Sequence, residues 1–318
     1  MCHDCTDLQT INIDLRSLVQ VKDALMECVS LTSFTGNLGS LQYGDNFFIS
    51  CSNLNHFEAN LDSLISGKGM FKYTKIPSFS NNLNHLVDGT EMFMDNTELA
   101  SYTGTLDSIE FGDSMFEACP KLTTLPAEVT LNKLRSGNRM FLGTGITSVS
   151  SFDLKALESG SEMFRGLAIE SWSKNMPALK IANNMFYDCS KLYSFTGNLS
   201  SLENMDYMFY MAGSTVVGPG RRAGIYTFNP TNLGKVKTAR YAFYQAGFIN
   251  WNWDMPNLQD GINMFDSNTA LTTFTGSLEK LKDGTNMFNG DRALTTFISN
   301  LSSLDKADNM FNSCKLTP

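Results

Sequence analysis

The chain has 318 residues, of which 42% are hydrophobic and 18% charged, with a formal net charge of −8. That balance excludes a basic surface for nucleic acid, and the apolar content is too high for a disordered chain. No run approaches the roughly 18 uncharged apolar residues of a membrane span, and the opening segment MCHDCTDLQT lacks the basic and apolar regions of a signal peptide.

Reading forward, one residue pair recurs about every 23 positions: Met70-Phe71, Met92-Phe93, Met115-Phe116, Met140-Phe141, Met163-Phe164, Met185-Phe186 and Met208-Phe209. It returns at Met264-Phe265, Met287-Phe288 and Met310-Phe311, with degenerate copies at Met1-Cys2, Ala24-Leu25, Phe47-Phe48 and Ala242-Phe243. The full unit reads M-F-x-x-[CN]-x-x-L-x-x-F-x-G-x-L-x-x-L, followed by a short polar stretch. About thirteen units and a truncated fourteenth fill the chain. The expectation is a single solenoid domain over residues 1–318, interrupted by an insertion at about 212–224.

Each unit carries two periodicities. In Leu192-Tyr193-Ser194-Phe195-Thr196-Gly197 the apolar and polar residues alternate, the signature of a short half-buried strand. Leu199 and Leu202, three apart, then lead to Met208-Phe209 through a loose helical or 3₁₀ turn. No unit holds a second strand for a hairpin, so each buries its apolar set against its neighbours. The Met-Phe pair is read as the core-forming corner of each coil.

These residues resemble the BspA-like, Treponema-type class of leucine-rich repeats, which has a similar period and an Ala-Phe pair matched directly by Ala242-Phe243. The Met-Phe form is also similar to repeats of mycoplasma-type surface lipoproteins. The resemblance implies a right-handed leucine-rich-repeat β-solenoid of about 13–14 coils, one short parallel strand per coil, with the strand surface lining a concave side. It implies an extracellular location, on a cell or virion surface, although the chain shows no signal peptide. Departures from the class are Gly36, Gly104, Gly197 and Gly276 at the second inward strand position, and ends without a recognisable capping repeat.

Chemistry-bearing residues are sparse. Cys5, Cys28, Cys51, Cys119, Cys189 and Cys314 all stand four residues after the repeat Met, where Asn96 and Asn268 stand in other units. This reads as a ladder of small inward side chains serving backbone groups. Stacking also brings such cysteines within reach of a disulfide. His3, His56 and His85 occupy different repeat positions, and no catalytic or phosphate-binding motif occurs. The chain is expected not to be an enzyme and to need no cofactor or metal.

The outward strand positions are mostly Ser or Thr and form the candidate binding face. Singled out there are Ser171, Ser173, Ser194, Thr196, Thr227, Asn229, Asn250 and Asn252. Such a face can hydrogen-bond a glycan or an extended peptide; equally, Ser and Thr pair well across strands without a ligand. Arg221 and Arg222 in the Gly-rich insertion, and Trp253 beside it, complete the candidate set. Two functions follow as expectations: a recognition or adhesion module for a host or surface protein or glycan, and a virion fibre or decoration component joined through its solenoid ends.

Overall fold

A computed structural model describes residues 3–214 and 224–316. The protein is a parallel-strand β-solenoid of about 12 coils of roughly 23 residues, as the repeat implies. It divides into two compact units, Met1–Leu154 and Lys155–Pro318. The first unit contains β1 (Thr10–Asp14), β2 (Ser33–Asn37), β3 (His56–Glu58), β4 (Ser78–Phe79) and β5 (Ser101–Tyr102). The second contains β6 (Ser171–Trp172), β7 (Ser194–Gly197), β8 (Thr227–Pro230), β9 (Asn250–Trp251), β10 (Thr273–Phe274) and β11 (Thr296–Phe297). Every strand pairing is parallel, with partners one repeat apart, as in Phe34 with Phe57 and Phe195 with Phe228. The stretches around Thr124 and Ser148 align with strands but form none.

A second ladder runs along each unit beside the strands. In the first it links Gln20, Tyr43, Ser66, Asp88, Phe111 and Ser136; in the second it runs from Ser159 to Lys306. The Met-Phe corner makes a third ladder of a different kind. Alternate residues donate to the next coil, as Gly44 to Ser66, Asn46 to Lys68, Phe48 to Met70 and Ser50 to Lys72. The residues between them close short turns backward: Phe47 N–H donates to Gly44 O and Ile49 N–H to Asn46 O. These are successive β-turns rather than the expected helical or 3₁₀ turn, held to a fixed shape by left-handed residues immediately before and three after the Met position. Asn46 and Ser50, or Asn184 and Asp188, are such pairs.

The corner is the core. The Met-Phe pairs from Met70-Phe71 to Met287-Phe288 are fully buried, whereas Phe311 of the last pair is half-buried. Rings of successive coils stack, with Phe93 and Phe116 5.6 Å apart in the first unit and Phe265 and Phe288 5.4 Å apart in the second. Inward strand aromatics meet this stack edge-on, as Phe79 does Phe93 and Phe274 does Phe288. Both arrangements suit the aromatic quadrupole.

The small-residue ladder serves the backbone. Sγ of Cys51 donates to Leu25 O, that of Cys119 to Phe93 O and that of Cys189 to Phe164 O. Burial pushes these three thiols up to about 12, so they are inert as nucleophiles. Asn268 does the same work with its amide, donating to Phe243 O and Phe265 O. Asp291 stands at this position too. Its Oδ1 accepts from Asn268 N–H, while its Oδ2 is buried without a donor.

The strand glycines also have a steric cause. A Cβ on Gly36 would lie 2.2 Å from Ile13 O, one on Gly104 2.0 Å from Asn81 O, and one on Gly276 2.2 Å from Trp253 O. The preceding coil's carbonyl occupies the space of a side chain, so no aliphatic residue fits there.

Candidate functional site

The outward strand residues come together in columns. Ser171 pairs with Ser194 and Ser194 with Thr227, while Thr196 pairs with Asn229. Asn250 aligns with Thr273 on the neighbouring sheet. Ser171, Ser173, Thr227, Asn229, Asn250 and Asn252 are exposed, whereas Ser194 and Thr196 are half-buried. Part of the face satisfies itself: Thr272 Oγ1 donates to Asn250 Oδ1 at 2.9 Å and Thr196 Oγ1 to Trp172 O at 3.5 Å. Arg221 and Arg222 lie outside the described residues.

Hollows form where the strand ladder breaks. In a paired coil two successive N–H groups donate to one carbonyl, as Asn55 and His56 do to Thr32 O. At the entry to β4 the first of these donors is Pro77, which has no N–H, and β3 and β4 fall in different sheets. Thr103 N–H donates to Phe79 O; one coil later the equivalent residue is Pro126, and no strand follows β5.

In the first unit a polar hollow of about 860 Å3 runs from the β1–β3 strands to the break before β4. Asn12, Glu58, Asn60, Asp62, Asn81 and Asn82 supply its amides and carboxylates, with half-exposed Phe57 at its floor. Smaller hollows sit at each break, one against Pro77 and one against Pro126.

In the second unit the break falls between β8 and β9, which belong to different sheets. It follows the insertion at about 212–224, whose described ends meet where Gly224 N–H donates to Gly213 O at 2.6 Å. Gly213, at φ 69°, has no room for a Cβ, which would lie 2.6 Å from Leu192 O. The break opens a hollow of about 350 Å3 where Thr227, Asn250 and Trp253 meet Tyr226, Phe248 and Ile249. Tyr226 and Ile249 are 41% and 43% exposed, so apolar surface stands at its rim.

Trp253 is half-buried, its ring edge-on to both Phe228 and Trp251. Trp251 is in the core, and its Nε1–H donates to Trp253 O at 2.9 Å. Trp172 makes the same bond to Lys174 O. The inward tryptophan thus fixes the backbone of the residue that lines the hollow.

Three of the sequence-derived candidates therefore share one hollow, and five line up across β6–β8. Sequence reading passed over the first unit's amide-rich hollow and the apolar rim of the second. The prolines at donor positions are the signal that locates the first unit's breaks. Among the described residues no three His, Cys, Asp or Glu side chains gather into a metal site. The pair His56–Glu58, 3.7 Å apart, is exposed on both sides.

The family model for the BspA type leucine rich repeat region matches in 6 copies, over residues 2–100, 22–142 and 110–216. The chain belongs to the BspA-type leucine-rich repeat family. A leucine-rich repeat protein from Bacteroides ovatus shares its fold with a TM-score of 0.55 at 20% identity, over 96% of this chain and 76% of that one. A leucine-rich repeat protein from Eubacterium ventriosum aligns at 10% identity with a TM-score of 0.45, over 99% of this chain and 85% of that one. No curated protein matches. BspA-type solenoids are interaction scaffolds, and among the described residues no helix is long and apolar enough to cross a membrane.

Proposed function

We propose that this BspA-type solenoid is a non-catalytic recognition module of a cell or virion surface. Its strand face takes a host or surface protein or a glycan. The observation that carries this reading is the hollow between β8 and β9, where exposed Tyr226 and Ile249 surround Trp253 beside the polar groups of Thr227 and Asn250. An apolar floor with a few convergent polar groups is the usual composition of a ligand site. The columns Ser171–Ser194–Thr227 and Thr196–Asn229 extend it as a polar approach, flanked by Ser173 and Asn252.

The test is binding to glycan and matrix-protein arrays by the wild type, Trp253→Ala and Ile249→Ser. A ligand found with the wild type should lose at least about tenfold in affinity in either variant, the usual cost of a hot-spot residue. Unchanged binding in both variants would remove this hollow from the function.

A further inference from the structure

The polar hollow of the first unit is walled by side chains that the fold does not use. Asn12 and Asn82 are exposed there and Asn81 is half-buried. Elsewhere the asparagines that follow a strand close their own turn. Oδ1 of Asn37, Asn60, Asn198 and Asn300 accepts the N–H two residues on, from Gly39, Asp62, Ser200 and Ser302. Asn82 stands at the same place in its coil, yet its carboxamide has no partner among the described residues. The carboxamides of Asn12 and Asn81 and the carboxylate of Asp62 have none either.

Asn81 also departs from the repeat. It takes the inward strand position of Gly36 and Gly104, where the preceding coil's carbonyl leaves no room for a Cβ. Because β4 is not paired with β3, Asn81 can carry a side chain at that position. One coil later Thr103 N–H donates to Phe79 O. The equivalent groups at the break, Ser80 N–H and Phe57 O, have no partner among the described residues. Phe57 is half-exposed here, whereas Phe34 and Phe79 on either side of it are buried.

We infer that this hollow is a saccharide site, taking a short neutral oligosaccharide. The chemistry of its wall selects that class. No Lys or Arg lines it among the described residues, and Glu58 and Asp62 repel phosphate, sulfate and other anions. No third carboxylate, His or Cys joins those two to hold a metal ion. Phe57 and Ala59 are its only wholly apolar side chains, too few for a greasy ligand. An inserted peptide strand would need about 4.8 Å to each neighbour, but the rings of Phe57 and Phe79 stack 6.2 Å apart and hold the two coils together. What remains is a ligand whose groups both donate and accept. Sugar hydroxyls do so; a carboxamide answers them with a donor and an acceptor side by side, and the carboxylates accept. Phe57 offers an apolar contact to the sugar's C–H groups. The volume of about 860 Å3 is within the range of small-molecule sites. This site lies in the other unit from the hollow between β8 and β9 and does not depend on that one being occupied.

The test is isothermal titration calorimetry of the full chain with a panel of neutral di- to tetrasaccharides. A sialylated oligosaccharide and an oligolysine peptide serve as charged probes. At least one neutral sugar should bind the wild type with a Kd below about 1 mM. The double variant Asn12→Ala, Asn82→Ala removes carboxamides that hold nothing in the fold, so its urea midpoint should not move while Kd rises at least about tenfold. Asn81→Gly, which restores the residue type of the neighbouring coils, should weaken binding as well. Trp253→Ala should leave it unchanged. Failure of every neutral sugar to bind at about 1 mM would overturn the proposal and leave the β8–β9 hollow's role as a protein site intact. So would a sugar whose affinity falls in Trp253→Ala and not in the double variant, because it would then sit between β8 and β9. Binding of oligolysine alone would assign the wall's carboxylates to a cationic protein segment instead.

Discussion

The polar hollow of the first unit and the aromatic hollow of the second have the same origin and different chemistry. Both reach a point where the strand ladder is interrupted, the first at Pro77 and the second after the insertion whose described ends meet at Gly213 and Gly224. The residues at the break decide what the hollow can hold: amides and carboxylates around Phe57, or Tyr226, Ile249 and Trp253. Position comes from the backbone and specificity from the outward side chains.

The largest effect should come from the glycines that seat each hollow. Gly104 accommodates Asn81 O of the polar hollow, and Gly276 accommodates Trp253 O of the aromatic one. Gly104→Ala and Gly276→Ala should each cost about 3 kcal/mol or more, because the clash is with backbone rather than a movable side chain. Urea denaturation of the two variants would show it. A cost under about 1 kcal/mol for one of them would mean that its hollow is not rigidly seated.

A second contrast lies in the core ladder, where the first unit has Asn96 and the second has Asp291, both fully buried. Burial, with a smaller contribution from nearby Asp266, raises the Asp291 carboxyl to about 9. The folded state therefore keeps a proton that the unfolded state gives up near its ordinary value of 3.8. Stability from this group is intact below that lower value and falls by about 1.4 kcal/mol per pH unit as pH rises toward the folded one. Asp291→Asn should accordingly stabilise the protein by up to about 4 kcal/mol at pH 7, with the gain vanishing below about pH 4. Asn96→Asp should do the reverse. Thermal melts across pH would report both, and a pH-independent gain would mean that Asp291 is ionised in the fold.

The smallest effect concerns the break itself. Pro126→Thr restores the donor that Thr103 supplies one coil earlier, adding a ladder bond worth about 1 kcal/mol. Losing the proline gives back a similar amount through the freer unfolded chain, so net stability should move by less than about 1 kcal/mol. Amide exchange is the sensitive readout: residue 126 should gain slow exchange, and continued fast exchange would show that the coil cannot close.

Much of this was legible because the repeat is strict. The Met-Phe corner, the alternating strand and the inward Cys/Asn position each depend on one residue type at one place, and the structure puts all three where the spacing does. The corner's left-handed residues were hidden, since Glu27, Arg139 and Tyr207 adopt that conformation alongside Asn and Gly. Their φ is imposed by bonds between coils and not by propensity. The hollows were hidden for a related reason. A missing N–H at Pro77 has consequences only through the coil before it, which a single unit's pattern does not display.

The one-way bonding of the corner has a genetic consequence. Each coil offers alternate N–H groups to the next and receives the same set from the one before. Any two neighbours in a run therefore join by the same contacts. Gain or loss of a whole repeat by unequal recombination preserves that joint, so such a gene can change length in single-repeat steps without redesigning its interior.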